Sequence, residues 1–356
     1  MKKIILLIIL ITLLGCKNNN TNSNIKEQEV VEKNEIQEIK KLTPEDYKNN
    51  NVNELGEVPI MMYHGIQNKK DSETSFIGGN IDKDGYQRTS ESFIKDLEFY
   101  YNNGYRMIRL TDFIDGNIDV ELGKSPIVLT FDDGLQNNIK VTGIDSNGEI
   151  IIDPNSAVGI LETFKNKYPD FNVTATFFVN GGLFNQPEYN EKILTWLVKN
   201  GYDVGNHTNS HVDFSRVNAI KTQEEVGKLY NILDQIIPGK YVNIIALPFG
   251  SPYNFEHENM KYIFNSNYNN KSYETKSTLR VGWKSENSPF SINFNSKFLK
   301  RIRAYDNNGK EFDIEMNFNL LEKNRYISDG DINTIVIKKE NEKEVSDVYS
   351  KEIIMY

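Results

Sequence analysis

The sequence predicts an α/β protein built on a parallel sheet, and two observations carry that reading. Apolar runs at 58–63, 126–131, 173–179, 202–205 and 243–247 alternate with segments of helical periodicity. Their intervals of about 25–40 residues suit right-handed strand–helix–strand units. Several of these runs also end abruptly in polar residues, and ligands of parallel α/β folds bind at the carboxyl ends of the strands. The organising stretch is Pro126-Ile127-Val128-Leu129-Thr130-Phe131-Asp132-Asp133-Gly134. Its unbroken apolar run reads as a strand buried on both faces, since a surface strand would alternate. The two adjacent carboxylates that end it repel each other unless a cation or a proton separates them.

In chain order, residues 58–63 form a strand ending in His64. Ser90 is the expected N-cap of a helix carrying Phe93, Leu97 and Tyr100 or Tyr101, stopped by Gly104. A short strand at 106–110 precedes the Asp-Asp strand. The polar stretch 135–154 reads as an inserted hairpin or loop near the site. Helices are expected at 157–168, 192–200 and 220–237, with the strands at 173–179, 202–205 and 243–247 between and after them. Beyond about 255, runs at 279–283, 300–304 and 332–337 are expected to close the same barrel.

The 356 residues suffice for one large domain plus extensions, and the net charge of −9 argues against a nucleic-acid partner. Residues 1–15 are expected to be a signal peptide, with Lys2 and Lys3 before an apolar run too short to span a bilayer. Leu13-Leu14-Gly15-Cys16 resembles a bacterial lipobox, so Cys16 is the expected lipidation site. It is the only cysteine, which excludes a disulfide. Residues 16–54, rich in Asn, Lys, Glu and Gln, read as a disordered tether, and 55–356 as the catalytic domain. This layout places the protein at the extracellular face of the cell membrane, held by its lipid.

The second constellation is His207-Thr208-Asn209-Ser210-His211, directly after a strand. On a helical turn, histidines four apart face the same way and can reach one cation. With Asp133 as a third ligand, the site keeps open positions for water and substrate. One of the two carboxylates then binds metal while its neighbour is free to act as a base. Zinc is the first choice for an Asp-His-His set, with cobalt or nickel also fitting.

Thr130-Phe131-Asp132-Asp133-Gly134 together with His207-Thr208-x-x-His211 resembles the polysaccharide deacetylases, carbohydrate esterase family 4. The resemblance covers 55–255, including 58–66, 93–113 and 246–250. It implies a distorted (β/α) barrel and metal-dependent removal of acetyl groups from polymeric sugars. Transferred by position, it makes Asp132 the general base and Asp133, His207 and His211 the metal ligands. The expected partner is an acetylated cell-surface polysaccharide such as peptidoglycan or poly-N-acetylglucosamine, with N-acetyl favoured over O-acetyl.

Two departures from that family stand out. Its Arg-Pro-Pro-Tyr-Gly motif reads Ala246-Leu247-Pro248-Phe249-Gly250 here, which keeps a backbone N–H at Phe249 for an oxyanion. The arginine that orients the catalytic Asp is missing. Arg280, Arg301 and Arg303 could replace it, though each reads more simply as a surface charge. The late Leu-x-His acid motif is absent as well, so His64 is the expected acid, with His257 the runner-up. Trp283 is read either as lining the acetyl pocket or as core. The missing groups motivate an alternative, a catalytically impaired, surface-anchored glycan-binding protein.

Overall fold

In the computed structural model, which describes residues 42–356, the strand Ser125–Phe131 is buried along its whole length, as its unbroken apolar run requires. The main sheet is assembled from β1 (Ile60–Tyr63), β2 (Tyr105–Met107), β3 (Ser125–Phe131), β4 (Thr176–Val179), β5 (Asp203–Asn206), β6 (Ile244–Ala246), β7 (Ser277–Leu279), β8 (Phe298–Leu299) and β9 (Ile302–Arg303). Its order is β8-β7-β6-β5-β4-β3-β1-β9, with β2 on β3, and every pairing is parallel. Helices α1 (Ser90–Asn102), α2 (Ala157–Lys167), α3 (Asn190–Lys199) and α4 (Ala219–Ile236) fall between successive strands. The fold is therefore the expected α/β distorted barrel.

Alternation along the strands divides the core. Ile127, Leu129 and Phe131 of β3 pack with Phe177 of β4, Phe93 and Leu97 of α1 and Leu161 of α2, outside the sheet. Val128 packs with Ile60, Phe178, Ile244 and Leu279 on the opposite face. Thr130 and Asp132 continue the parity of Val128, so their side chains belong to the barrel interior.

The barrel closes through one bent segment. Residues 298–299 pair with 278–279 on one edge of the sheet, and residues 302–303 pair with 61–62 on the other. Lys300 and Arg301 make the bend. A Cβ on Gly282 would stand 2.2 Å from the Arg301 carbonyl oxygen, so only glycine lets the preceding loop approach this closely. The strand expected at 332–337 does not close the barrel. Thr334–Ile337 pairs in parallel with Glu352–Met355 as a separate two-stranded sheet. The closing role falls to 298–303, whose few paired residues leave a weak periodic signal.

The expected tether extends too far. Pro44–Asn49 is a helix with a Thr43/Asp46 capping box, and Tyr47 and Val52 are buried against Val336. Glu54 accepts hydrogen bonds from the Tyr326 hydroxyl (2.8 Å) and the Val336 N–H (2.7 Å). These partners lie more than 270 residues away in sequence, where local composition carries no trace of them. The signal peptide, Cys16 and the tether up to 41 lie outside the described residues.

Smaller differences are local. The N-cap of α1 is Thr89, whose side chain accepts from the Ser92 N–H, rather than Ser90. Residues 108–109 leave the strand, and a helix begins at Leu110. The expected inserted hairpin is present as the antiparallel pair Val141–Ile144 and Ile150–Ile152.

Candidate active site

Strand β3 ends by hydrogen bonding, the Asp132 N–H donating to the Tyr63 carbonyl at 2.9 Å. The chain then turns through two left-handed residues, Asp133 (φ 73°) and Gly134 (φ 57°). A Cβ at Gly134 would meet the Leu183 carbonyl oxygen at 2.2 Å. The turn sends the Asp132 side chain into the barrel and presents Asp133 at the rim.

His207 and His211 follow β5, but not on a helical turn. Residues 207–213 are an irregular loop with positive φ at Thr208 (65°) and His211 (55°). Such backbone costs on the order of 1–3 kcal/mol per residue and persists where surroundings enforce it. Here the Asn206 side chain accepts from the Thr208 N–H at 2.7 Å, and buried Glu225 accepts from the Ser210 N–H and hydroxyl, both at 2.6 Å. The convergence that helical spacing was expected to supply is produced by these side-chain anchors.

His207 Nε2 lies 3.2 Å and His211 Nε2 3.3 Å from the same Asp133 Oδ1. Ligands about 2.0 Å from a tetrahedral zinc ion stand about 3.3 Å from one another, so this spacing fits one cation. The chemistry of the donors agrees. The ring Nδ1 of His207 is 2.7 Å from the Ala246 carbonyl oxygen, which only accepts, so Nδ1 carries a proton and Nε2 is the nitrogen left to donate to Asp133 or, once deprotonated, to hold a cation. Burial pushes the Asp133 carboxyl up, but the hydrogen bond from His207 and the neighbouring imidazoles outweigh it and hold the group well below the usual carboxylate range. Asp133 is thus a permanent anion among nitrogen donors. It forms with His207 and His211 a candidate metal site.

Asp132 has a different partner. Arg301 donates to both of its oxygens, Nη1 to Oδ1 at 2.8 Å and Nη2 to Oδ2 at 2.7 Å, with neither side chain more than 2 % exposed. Arg301 Nη1 also reaches the Thr130 hydroxyl (3.1 Å), and its Nε donates to the Arg280 carbonyl (2.9 Å). Arg301 therefore stands where the missing motif arginine was sought. It is not the surface charge expected from the sequence: it is fully buried at the bend that closes the barrel. Desolvation pushes the Asp132 carboxyl up, and the Arg301 charge outweighs it, leaving the group ionised below its ordinary range.

The remaining residues arrange around a cleft of about 320 Å³ lined by Asp132, Asp133, His64, His207, His211 and Phe249, among others. His64 caps β1, its ring edge-on to Tyr86 with centroids 4.9 Å apart. Its Nδ1 is buried without a hydrogen-bond partner, and burial pushes its pKa below that of an ordinary imidazole. Phe249 has φ 57° and its ring lies against His211 at 4.7 Å. Its N–H donates to no protein acceptor among the described residues. His257 does not line the cleft, and its Nδ1 accepts instead from the Asn259 N–H at 3.2 Å. Trp283 is neither core nor part of this cleft. It is 43 % exposed and lines a neighbouring groove.

An α/β barrel that presents a carboxylate–His–His donor set beside an arginine-clamped carboxylate has the groups that metal-assisted hydrolysis would require. Residues 119–263 match the polysaccharide deacetylase family model. This stretch contains Asp132, Asp133, His207, His211 and Phe249, whereas His64 and Arg301 lie outside it. The chain is similar to the Streptococcus pyogenes deacetylase PplD solved with acetate (18 % identity, TM-score 0.49), covering 69 % of this chain and 92 % of that one. It is also similar to a de-N-acetylase from Aggregatibacter actinomycetemcomitans (12 % identity, TM-score 0.44, 68 % of this chain and 93 % of that one). The peptidoglycan deacetylase PdaC from Bacillus subtilis aligns over 35 % of this chain and 50 % of its own at 28 % identity and TM-score 0.25. A search of curated proteins returned no match.

The Arg301 clamp is testable by substitution. Arg301→Gln leaves a buried carboxylate without its cation, which costs about 3–5 kcal/mol of stability. Arg301→Lys keeps the charge but not the paired hydrogen bonds. We expect the lysine variant to fold and bind metal while kcat falls on the order of 10²-fold. Unchanged kcat in Arg301→Lys would show that the clamp does not position Asp132.

Proposed function

We propose that this protein is a metal-dependent hydrolase that removes acetyl groups, N-acetyl in preference to O-acetyl, from a cell-surface polysaccharide such as peptidoglycan or poly-N-acetylglucosamine. The observation that carries the reading is the division of labour between adjacent carboxylates. Asp133 faces two imidazole nitrogens at the rim, and Asp132 is held ionised by Arg301 beside the same cleft.

A divalent cation held by Asp133, His207 and His211, zinc by donor chemistry, would supply Lewis acidity toward the acetyl carbonyl. Asp132 removes a proton from the attacking water, its carboxylate fixed in orientation by Arg301. The Phe249 N–H, which has no protein acceptor among the described residues, donates to the oxygen of the tetrahedral intermediate. Leu247 and Val281 give the cleft an apolar wall suited to the acetyl methyl group. His64 protonates the departing amine. Burial lowers its pKa below that of an ordinary imidazole, so the protonated acid, and activity with it, is lost at a lower pH than an unperturbed histidine would give. The absent motif arginine that favoured a catalytically impaired protein is answered by Arg301, which weighs against that alternative.

The deacetylase reading is tested first by metal content and acetate release. Asp133→Ala or His211→Ala should lose bound metal and activity together, whereas Asp132→Asn keeps the metal and loses turnover. Equal metal loss in Asp132→Asn and Asp133→Ala contradicts the assignment.

The acid is tested by leaving group. His64→Ala should fold, keep metal, and lower kcat on N-acetyl sugars on the order of 10²–10⁴-fold, while hydrolysis of 4-nitrophenyl acetate, whose leaving group needs no proton, falls far less. The alkaline limb of the pH–rate profile should vanish with it. Equal losses on both substrates would assign His64 a structural role.

We also propose that the mature chain begins at Cys16 and is anchored by lipid at the outer face of the cell membrane. Cys16→Ser should move the protein from membrane to soluble fractions with its specific activity intact. A single acyl chain binds only marginally, so stable attachment requires more than one. Continued membrane partitioning of the variant would exclude Cys16 as the anchor.

A further inference from the structure

Beside the catalytic cleft lies a second groove of about 290 Å³ that shares Tyr86, Phe249 and Val281 with it. Its outer walls carry Tyr253 and Trp283, and four of its rings are exposed: Tyr86 (37 %), Phe249 (54 %), Tyr253 (73 %) and Trp283 (43 %). Flat aromatic faces at a cleft entrance suit the apolar faces of sugar rings. That alone specifies no sugar.

Charge adds the specification. Arg280, Lys284 and Lys300 line the same groove. Lys300 is paired with buried Glu286 at 3.1 Å. Arg280 and Lys284 make no ion pair among the described residues. The Arg280 guanidinium stacks on Phe298 at 4.7 Å, and its Nε is buried without a partner. A further cation lies behind the rings. The Arg303 guanidinium sits 5.0 Å from the Tyr86 ring, 5.1 Å from Trp283 and 4.6 Å from Tyr305. Arg303 is 8 % exposed, and its Nε has no hydrogen-bond partner. Buried charges are ordinarily paired, and this chain carries nine more negative than positive charges. Cations left without carboxylates around one groove are therefore a local departure that a bound anion would complete.

We propose that this groove is a second sugar subsite that takes a residue bearing an anionic group, a carboxylate or a phosphate, on the same glycan whose acetyl group enters the catalytic cleft. The inference rests on the deacetylase reading and narrows its substrate to an acidic glycan. Aromatic rings hold the sugar face, Arg280 and Lys284 meet the anion, and Arg303 strengthens the field from beneath Tyr86 and Trp283.

The test uses the wild type and the double variant Arg280→Gln/Lys284→Gln, neither residue belonging to the reacting centre. Peptide-free peptidoglycan strands with free lactyl carboxylates are compared with their methyl esters, and 6-phosphorylated chito-oligosaccharides with unphosphorylated ones. Binding is read by calorimetry and turnover by acetate release. The wild type should bind at least one acidic form on the order of 10-fold tighter than its neutral counterpart, a preference weakened by salt. Whichever pair shows it names the anion. The double variant should bind acidic and neutral forms alike while hydrolysing the neutral ones at wild-type rate. Equal binding within both pairs, or a preference that survives in the double variant, overturns the subsite. Acetate release without any charge preference sinks the subsite alone. Charge-dependent binding without acetate release supports the subsite and sinks the deacetylase reading.

Discussion

The buried ion pair between Arg301 and Asp132 is the interaction on which the rest of the site depends. Placing two charges inside the barrel is expensive, and their attraction offsets the desolvation only if geometry is good and the remaining donors are satisfied. The pair is bidentate, and Arg301 places two further N–H groups on the Thr130 hydroxyl and the Arg280 carbonyl. The arginine comes from the bend where a single segment serves both sheet edges, so barrel closure and carboxylate orientation are one event. Gly282 makes it feasible by letting backbone pass against backbone at Arg301.

From that pair the two carboxylates acquire separate characters. Adjacent aspartates would ordinarily compete for the same cation, yet strand alternation turns one inward and the left-handed turn at Asp133 sends the other to the rim. Arg301 neutralises the inner one, and the outer one is left for imidazoles. The histidine loop shows the same economy of means. Its strained residues are held by Asn206 and Glu225, so that both Nε2 atoms reach one oxygen without a helix to align them.

The catalytic cleft and its cationic neighbour share a wall, and that wall is made of loops following different strands. Tyr86 follows β1, Phe249 follows β6, and Val281 follows β7. On the proposed reading, substrate selection would vary in these loops while β3 and β5 keep Asp132, Asp133 and the histidines in place.

The sequence by itself determined the alternation of strands and helices, the buried central strand, and the residue types at Asp132, Asp133, His207 and His211. Each depends on neighbours within a few positions, where periodicity and chemistry are visible in the chain. The tertiary structure alone decided what depends on distant partners. Arg301 lies 169 positions from Asp132 and looks like any charged residue until the barrel closes. Residues 42–54 read as tether because the surfaces that bury Tyr47, Val52 and Glu54 come from 326–336. The histidines converge through side-chain anchors rather than helical spacing, and the strand at 334–337 pairs with 352–355 rather than with the barrel. Burial, pairing and charge compensation are properties of the folded neighbourhood, and a linear pattern records only the groups available for them.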